Sequence, residues 1–287
     1  MKVRFLKKGE GEKWFRMLRD DPGKDFTLDD DYRIESHIVV EEDRRLSGGM
    51  VLMFWEPDTV ILFNPTTENN TALDSLVCKG IDTAKSLNAG TILSLLHGSN
   101  NQFNAIRDVL LHLGFFLGLR KELYTLKPAA YSPTEIDISL TYKSALEITE
   151  DAFIQVFKSV FEPDFFDSDA ANCFAELKMN AVDSGRFYPE DWEIAYDNDK
   201  PVGLTMPQLH DADGEIGSNF YLGVLPDERK KGWGTFLQRK AVETLIRRGV
   251  DLIAGSTDVK NKPMRRIFRR LGYQLAEHQY FFKYREH

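Results

Sequence analysis

The 287-residue sequence has few of the features that mark disulfide-rich, metal-binding or membrane proteins. Its two cysteines, Cys78 and Cys173, lie far apart and indicate no disulfide framework. Neither Cys-x-x-Cys nor His-Glu-x-x-His occurs, so no metal site is predicted. The longest apolar run, Met50 to Trp55, is much shorter than the roughly 18 residues of a membrane helix. Met1 to Lys8 lacks the apolar run of a signal peptide, and we expect a cytoplasmic protein without membrane contact.

Charge is distributed unevenly along the chain. The segment from Pro226 to Gly272 contains 13 Lys and Arg against 5 Asp and Glu, which leaves 24 basic and 40 acidic residues elsewhere. This asymmetry favours an anionic ligand near the basic segment and a cationic one close by, although solvated basic helix faces are the alternative. Nucleic acid is not expected as a partner, because the whole chain has a net charge of −8.

The second half of the chain reads as one mixed α/β domain. Two prolines between Lys127 and Thr134 indicate a linker before it. Hydrophobic periodicity then predicts strands at Ile138–Ile148, Trp192–Tyr196, Pro201–His210, Glu215–Leu225 and Asp251–Ser256, closing strands within Tyr273–Tyr284, a turn at Asp211–Gly214, and helices at Glu150–Phe161, Ser168–Val182, Gly232–Arg248 and Lys262–Leu271.

The first half repeats part of this order. Strands are predicted at His37–Glu41, Gly48–Trp55, Thr59–Asn64, Thr91–Leu96 and Leu119–Leu126, with helices at Ala72–Leu87 and Phe103–Leu113. Leu113-Gly114-Phe115 parallels Leu271-Gly272-Tyr273 at the end of a helix in each half. We therefore predict a tandem duplication, with domains at 1–130 and 136–287.

A candidate phosphate site follows the strand Asn219–Val224. Arg229-Lys230-Lys231-Gly232-Trp233-Gly234 leads directly into a predicted helix, and its glycines allow close approach to a ligand. The free amides of a helix N-terminus favour anions by a few tenths to about 1 kcal/mol per charge. Leu237 stands where a dinucleotide motif needs a third glycine, and no Gly-Lys-Ser/Thr follows, so neither of those nucleotide sites is indicated.

The segment resembles the Arg/Gln-x-x-Gly-x-Gly/Ala motif of the GNAT (GCN5-related N-acetyltransferase) family, matched by Arg229, Gly232 and Gly234. Asn261, Phe268 and Leu271-Gly272-Tyr273 also stand at the family's spacing. The resemblance implies an α/β (α+β) fold of two tandem domains, each a mixed, mostly antiparallel twisted sheet flanked by helices, with the first domain degenerate.

The resemblance also implies a site for acetyl-CoA. Its expected contacts are the backbone of Leu222, Gly223 and Val224 with the pantetheine arm, and the amides of Arg229, Lys230, Lys231, Gly232, Trp233, Gly234 and Thr235 with the pyrophosphate. Asn261 is expected to contact the pantetheine region, and Phe268 to pack against the coenzyme. Four basic residues are candidates for the 3′-phosphate, or lie on a solvated face: Lys260, Lys262, Arg265 and Arg266.

The implied reaction is acetyl transfer to a primary amine of a small molecule or peptide, by direct attack in a ternary complex. No cysteine lies in the motif region, which disfavours a covalent acyl-enzyme. Many family members have tyrosine where this chain has Phe268, so the acid that would protonate the thiolate is open: Tyr273, Tyr280, a water or no group at all. A non-catalytic acyl-CoA-binding sensor is the alternative, and a purely structural role is the least supported.

The base that would deprotonate the amine is also open. On a regular strand Ser218 would lie on the same side as Leu222 and Val224, where it could hold a water. The other candidates are Glu215, His210, Glu193 and Asp258.

The first half lacks a phosphate loop. Its counterpart, Asn64 to Thr71, has no Gly-x-Gly and no cation, so we expect no coenzyme there and expect this half to complete the sheet and form a wall of the acceptor cleft. Asp29-Asp30-Asp31 is an acidic loop or contributes to recognising a cationic substrate.

Overall fold

A computed structural model describes most of the chain: residues 1–11, 13–14, 36–55, 58–132, 140–161, 169–183, 186–210 and 215–286. Asp29 to Asp31, the predicted turn at 211–214 and Ser168, the first residue of a predicted helix, lie outside these residues. None of the described helices has the length and hydrophobicity of a membrane span.

The elements follow the predicted order closely. The strands are β1 (Lys2–Phe5), β2 (His37–Glu42), β3 (Arg45–Trp55), β4 (Thr59–Thr67), β5 (Thr91–His97), β6 (Phe115–Leu126), β7 (Thr141–Ser144), β8 (Glu193–Asp197), β9 (Lys200–Leu209), β10 (Ile216–Val224), β11 (Leu252–Asp258) and β12 (Gln274–Tyr284). The helices are α1 (Leu73–Ser86), α2 (Phe103–His112), α3 (Glu150–Val160), α4 (Ala170–Asp183), α5 (Trp233–Arg247) and α6 (Lys262–Arg270).

The chain forms two compact units, unit 1 of Met1–Arg120 with Glu277–His287 and unit 2 of Lys121–Ala276. The strand order is β1-β2-β3-β4-β5-β12 in unit 1 and β7-β8-β9-β10-β11-β6 in unit 2. The fourth and fifth strands of each unit pair in parallel, and the other recorded pairs are antiparallel. The predicted fold class, a mixed and mostly antiparallel sheet flanked by helices, is confirmed.

The last strands of the two sequence halves are exchanged between the units. β6, from the first half, belongs to the sheet of unit 2, and β12, from the second half, belongs to the sheet of unit 1. In unit 1 β12 pairs with β5, with Phe281 opposite Leu95, and in unit 2 β6 pairs with β11, with Tyr124 opposite Gly255. The compact units therefore do not coincide with the sequence halves 1–130 and 136–287. The first half completes the sheet of unit 2, as expected.

The sheet of unit 2 has helices on both faces. Helix α5 packs on one face, where Leu245 shares a buried cluster with Ile253, and we call this the α5 face. Helices α3 and α4 cover the opposite face, the α3 face, where Phe157 shares a cluster with Leu204. The two faces of β10 therefore have different environments.

Two local departures from the predicted elements have simple causes. Strand β1 is not predicted because its four residues are too few to show periodicity, and its pairing with β2 depends on residues more than 30 positions away. The predicted closing strands within Tyr273–Tyr284 are one strand, β12.

Candidate functional site

Strands β10 and β11 separate in the middle of the sheet. Their parallel pairing runs from Ile216 with Leu252 to Ser218 with Ala254, and among the described residues it goes no further. On its other side β10 stays paired with β9 as far as Val224, so the strand itself does not end. We call the wedge between residues 219–224 and 255–258 the β10–β11 opening.

The inner edge of β10 faces this opening. The amide of Leu225 donates to Val202 O on β9 at 2.9 Å. Backbone groups of successive strand residues point to alternate sides, so Leu222 and Val224 direct theirs toward the opening while Gly223 directs its own toward β9. Gly223 is required for packing, since a Cβ there would lie 2.4 Å from Val160 on α3. Such an edge can pair with an extended ligand that carries amide groups.

A β-bulge at Phe220 interrupts β10. Asn219 lies opposite Pro207 and Tyr221 opposite Met206, so β10 has one residue more than β9 at this point. The extra residue puts Ser218 on the α3 face and Leu222 on the α5 face. The prediction that Ser218 shares a side with Leu222 and Val224 is therefore wrong, because it assumed a regular strand.

The loop after β10 leaves a run of backbone amides without protein partners. Within the described residues, the amides of Lys230, Lys231, Gly232, Trp233 and Gly234 donate to no protein group. Lys230 has φ 65° and Gly232 has φ 95°, and left-handed residues within a run of successive free amides can curve the backbone into an anion-binding concavity. Gly232 is also the N-cap of α5 and supplies no side-chain cap.

The two loop glycines have different roles. A Cβ at Gly232 would meet nothing within 4 Å, so this glycine is needed for its positive φ. A Cβ at Gly234 would lie 3.1 Å from Ile267 on α6, so this glycine allows the two helices to pack closely. Thr235 continues the first turn of α5, with its amide bonded to Gly232 O at 2.9 Å.

A buried carboxylate, Glu228, organises the cations of the loop. Only 3% of its surface is exposed, and it accepts hydrogen bonds from Lys200, from Lys231 at 2.7 Å and from the Trp233 indole at 3.3 Å. The bond from Lys200, then that from Lys231, lowers the pKa of Glu228 to about 2. Arg229 donates from Nε to Val224 O at 3.1 Å. Two of the three predicted phosphate cations therefore also fix the shape of the loop.

Helix α6 begins at Asn261, whose side chain accepts a hydrogen bond from Met264 N at 3.1 Å. Arg265 turns inward and binds both carboxylate oxygens of Glu122 at 2.6 and 2.8 Å. The other candidate cations of this region lie on the exposed surface: Lys260, Lys262 and Arg266. They are the better placed candidates for a phosphate contact.

Phe268 and Tyr273 lie in the core of unit 2. The Phe268 ring is 5.0 Å from the Tyr124 ring and 4.8 Å from that of Tyr273, and each residue is 3% exposed. Burial raises the pKa of Tyr273, and its hydroxyl accepts a hydrogen bond from Gln238 at 2.9 Å. Proton transfer by Tyr273 and coenzyme contact by Phe268 stay predictions.

Among the candidate bases, Ser218 and His210 form a pair. His210 Nε2 lies 2.6 Å from Ser218 Oγ, next to the vertex of the opening. Gln208, opposite Ser218, is 4% exposed, and its Oε1 has no hydrogen-bond partner among the described residues. Sequence reasoning missed Gln208, since one glutamine in an apolar strand carries no motif.

The other candidate bases have different surroundings. Glu215 is exposed at the start of β10. Glu193 lies under α5, 3.1 Å from Lys240 Nζ, and burial raises its pKa. Asp258 accepts from Lys260 N at 2.8 Å. None of these three has a recorded contact with Ser218.

The corresponding edge in unit 1 is filled by a side chain. Parallel pairing of β4 with β5 ends at Phe63 and Leu95, and beyond it Gln102 accepts from Thr67 N at 3.0 Å and donates to Thr67 O. Asn69 caps the following turn by accepting from Thr71 N at 3.0 Å. The backbone groups that are free in unit 2 thus have partners in unit 1.

The part of the chain that holds the opening and the free amides matches a known family. A model of the acetyltransferase (GNAT) family matches residues 145–273. The matched segment is somewhat less than half of the chain, includes the loop and the opening, and is similar to this family. A 99-residue segment is 30% identical to a mycothiol acetyltransferase of Thermobifida fusca (strain YX), covering 32% of this chain and 31% of that protein. The chain thus spans about a third of that curated relative.

Solved GNAT structures share the fold across most of the chain. A GCN5-related N-acetyltransferase from Sphaerobacter thermophilus has a TM-score of 0.67 at 16% identity and covers 88% of this chain and 82% of its own. A tandem GNAT protein from the clavulanic acid biosynthesis pathway has a TM-score of 0.57 at 14% identity, covering 86% and 81%. The predicted likeness to the GNAT acyltransferase family is thus confirmed for residues 145–273, and members of this family generally use acetyl-CoA.

Proposed function

We propose that this protein transfers an acetyl group from acetyl-CoA to a primary amine of a small molecule or peptide, by direct attack in a ternary complex. The β10–β11 opening is the observation that carries the proposal, because its outer end meets the free amides of the loop before α5. An edge for amides beside a concavity for anions suits a ligand with both a peptide-like arm and a diphosphate.

The residues of unit 2 fit such a coenzyme. Leu222 and Val224 offer strand-like pairing to the pantetheine arm, and the amides of Lys230 to Gly234 hold the pyrophosphate. Lys260, Lys262 and Arg266 offer positive charge to the 3′-phosphate. The thioester supplies an activated acyl group, so the chain's own residues have only to orient it and to move a proton.

The Ser218–His210 pair is the proposed proton acceptor. Aminolysis requires a neutral amine, and a hydroxyl bonded to an imidazole can accept a proton that serine alone would not hold. Gln208 Oε1 is an acceptor beside this pair and suits an N–H donor. The acidic balance of the chain outside 226–272 also favours a cationic amine.

The second candidate function is binding of acyl-CoA without turnover. Phe268 favours it, because phenylalanine replaces the usual tyrosine and its ring lies in the core. Phe268→Tyr separates the two functions: a higher rate of thiol release means that an acid is missing, whereas an equal or lower rate means that another group serves.

The test uses the full chain in two stages. Calorimetry with coenzyme A measures binding, and thiol release from acetyl-CoA is then followed with polyamines, aminoglycosides, amino acids and peptides as acceptors. We expect binding of coenzyme A and release with at least one amine. Binding without release on any amine would support the sensor, and absence of binding would contradict both functions.

A further inference from the structure

A buried chain of hydrogen bonds leads from the β10 bulge to the end of α6. Met206 N donates to Asn219 Oδ1 at 2.9 Å, and Asn219 Nδ2 donates to Gln238 Oε1 at 3.1 Å. Gln238 Nε2 then donates to the Tyr273 hydroxyl at 2.9 Å. Gln238 is 1% exposed, so the middle of this chain is shielded from water.

The bulge explains why an asparagine stands at this position. A bulge leaves an extra residue outside the regular ladder, and backbone groups beside it need other partners. Met206 lies at this irregularity, and its amide donates to the side chain of Asn219. Asn219 is thus part of β10 and, through its side chain, also binds the backbone of β9 at the point where the register changes.

This series of hydrogen bonds joins three elements around the opening. Asn219 is the first residue of β10 after its pairing with β11 ends, Gln238 is on α5 directly below the anion-binding loop, and Tyr273 follows α6. Satisfied buried networks hold one arrangement because breaking any bond leaves a buried polar group unpaired. The bulge is thus fixed relative to the helix that the loop precedes.

We propose that Asn219, held by Gln238 and Tyr273, is a positioning residue that sets the register of the inner edge of β10 and so aligns Leu222 and Val224 with the pantetheine arm. This inference rests on the proposed function. Asn219 acts through the backbone three to five residues further along, and the phosphate loop does not depend on it. Loss of the network therefore weakens recognition of pantetheine and leaves recognition of phosphates intact.

The experiment compares two ligands by calorimetry. Coenzyme A contacts both the edge and the loop, whereas adenosine 3′,5′-bisphosphate contacts only the phosphate-binding part. We expect Asn219→Ala to weaken coenzyme A binding by about tenfold, the effect of misaligning one or two hydrogen bonds, without changing bisphosphate affinity. Asn219→Asp keeps the acceptor for Met206 N, and Gln238 can turn its amide to donate to it, so we expect binding within about twofold of wild type.

The possible outcomes distinguish failure of this inference from failure of the proposed function. Equal weakening for both ligands, or unchanged binding of coenzyme A, overturns the inference while the proposed function stands. Absence of binding of either ligand to the wild-type chain contradicts the proposed function instead. Should Asn219→Ala fail to fold, Tyr273→Phe is the second variant, because it removes only the hydroxyl at the end of the hydrogen-bond series. It should weaken coenzyme A binding less than Asn219→Ala does, again without changing bisphosphate affinity. Equal weakening of both ligands in Tyr273→Phe overturns the inference.

Discussion

Ser218 Oγ lies 2.6 Å from His210 Nε2, with the serine on β10 and the histidine directly after β9. The contact follows from the regular pairing of Ser218 with Gln208, and the bulge at Phe220 then puts Leu222 on the α5 face while Ser218 lies on the α3 face. One strand thus carries the proposed proton acceptor on one face and the proposed ligand-binding edge a few residues later.

We expect His210→Asn to lower kcat by about 100-fold, the usual contribution of a general base, and to leave the KM for acetyl-CoA unchanged. Ser218→Ala should have a similar effect, because the two side chains act as one unit. Steady-state kinetics of thiol release checks both. Glu215→Gln is the control, since this exposed residue directly precedes β10 and no hydrogen bond joins its side chain to the pair among the described residues. A large loss of kcat in the control and none in His210→Asn would assign the base to Glu215.

Gly232 and Gly249 offer a matched pair for testing the loop. Both have positive φ, 95° and 84°, and a Cβ at either would meet nothing within 4 Å. Alanine at either position therefore carries the same left-handed strain, about 1–2 kcal/mol. We expect similar losses of stability in thermal unfolding, but only Gly232→Ala should weaken coenzyme A binding, by about tenfold. Equal affinities in the two variants would show that the loop does not bind the coenzyme.

Much of this site could be predicted because its signals are local. The strand–loop–helix around Gly232 and the cap at Asn261 depend on residues within a few positions of each other, and α5 and α6 were predicted within two residues. The bulge could not be predicted, since it depends on how β9 and β10 align and on the contact of Asn219 with Met206.

Pairings between distant parts of the chain likewise could not be predicted from the sequence. The exchange of β6 and β12 depends on partners more than a hundred residues away, such as Tyr124 with Gly255. The contact of Arg265 with Glu122 could not be predicted either, because no local pattern shows which of several arginines on a basic helix has a buried acidic partner.

Glu228 should make stability depend on acid pH. Its pKa is about 2 in the folded chain and lower than its ordinary value of 4.5, because Lys200 and Lys231 donate to it. The carboxylate therefore stabilises the fold above about pH 4.5 and loses this effect as the pH falls toward 2. We expect wild type to exceed Glu228→Gln in unfolding temperature at pH 6, with the difference shrinking between pH 4.5 and 2. A difference that is constant with pH would contradict the ionic role.

The stoichiometry of coenzyme binding tests the assignment of the two halves. Gln102 occupies the edge of β4 and Asn69 caps the following turn, so the described residues of unit 1 offer at this point no open edge and no run of free amides like that before α5. We expect calorimetry to give one coenzyme A per chain, and Gly232→Ala to weaken that single event. A second site that survives in Gly232→Ala would place a coenzyme in unit 1.

Arg265 and Arg266 are neighbours with different predicted roles. Arg265 binds Glu122 through two hydrogen bonds in a partly buried position, whereas Arg266 is exposed. If Arg266 contacts the 3′-phosphate, Arg266→Ala should weaken the binding of coenzyme A by about two- to fivefold, the size of an exposed charge contact, and leave the binding of dephospho-coenzyme A unchanged.

Arg265→Ala should lower the unfolding temperature, because it leaves the Glu122 carboxylate without its main partner. Any effect of Arg265→Ala on affinity should be equal for the two ligands. Calorimetry with the two ligands checks these patterns. A selective loss of coenzyme A in Arg265→Ala, with none in Arg266→Ala, would mean that Arg265 leaves Glu122 when the coenzyme binds.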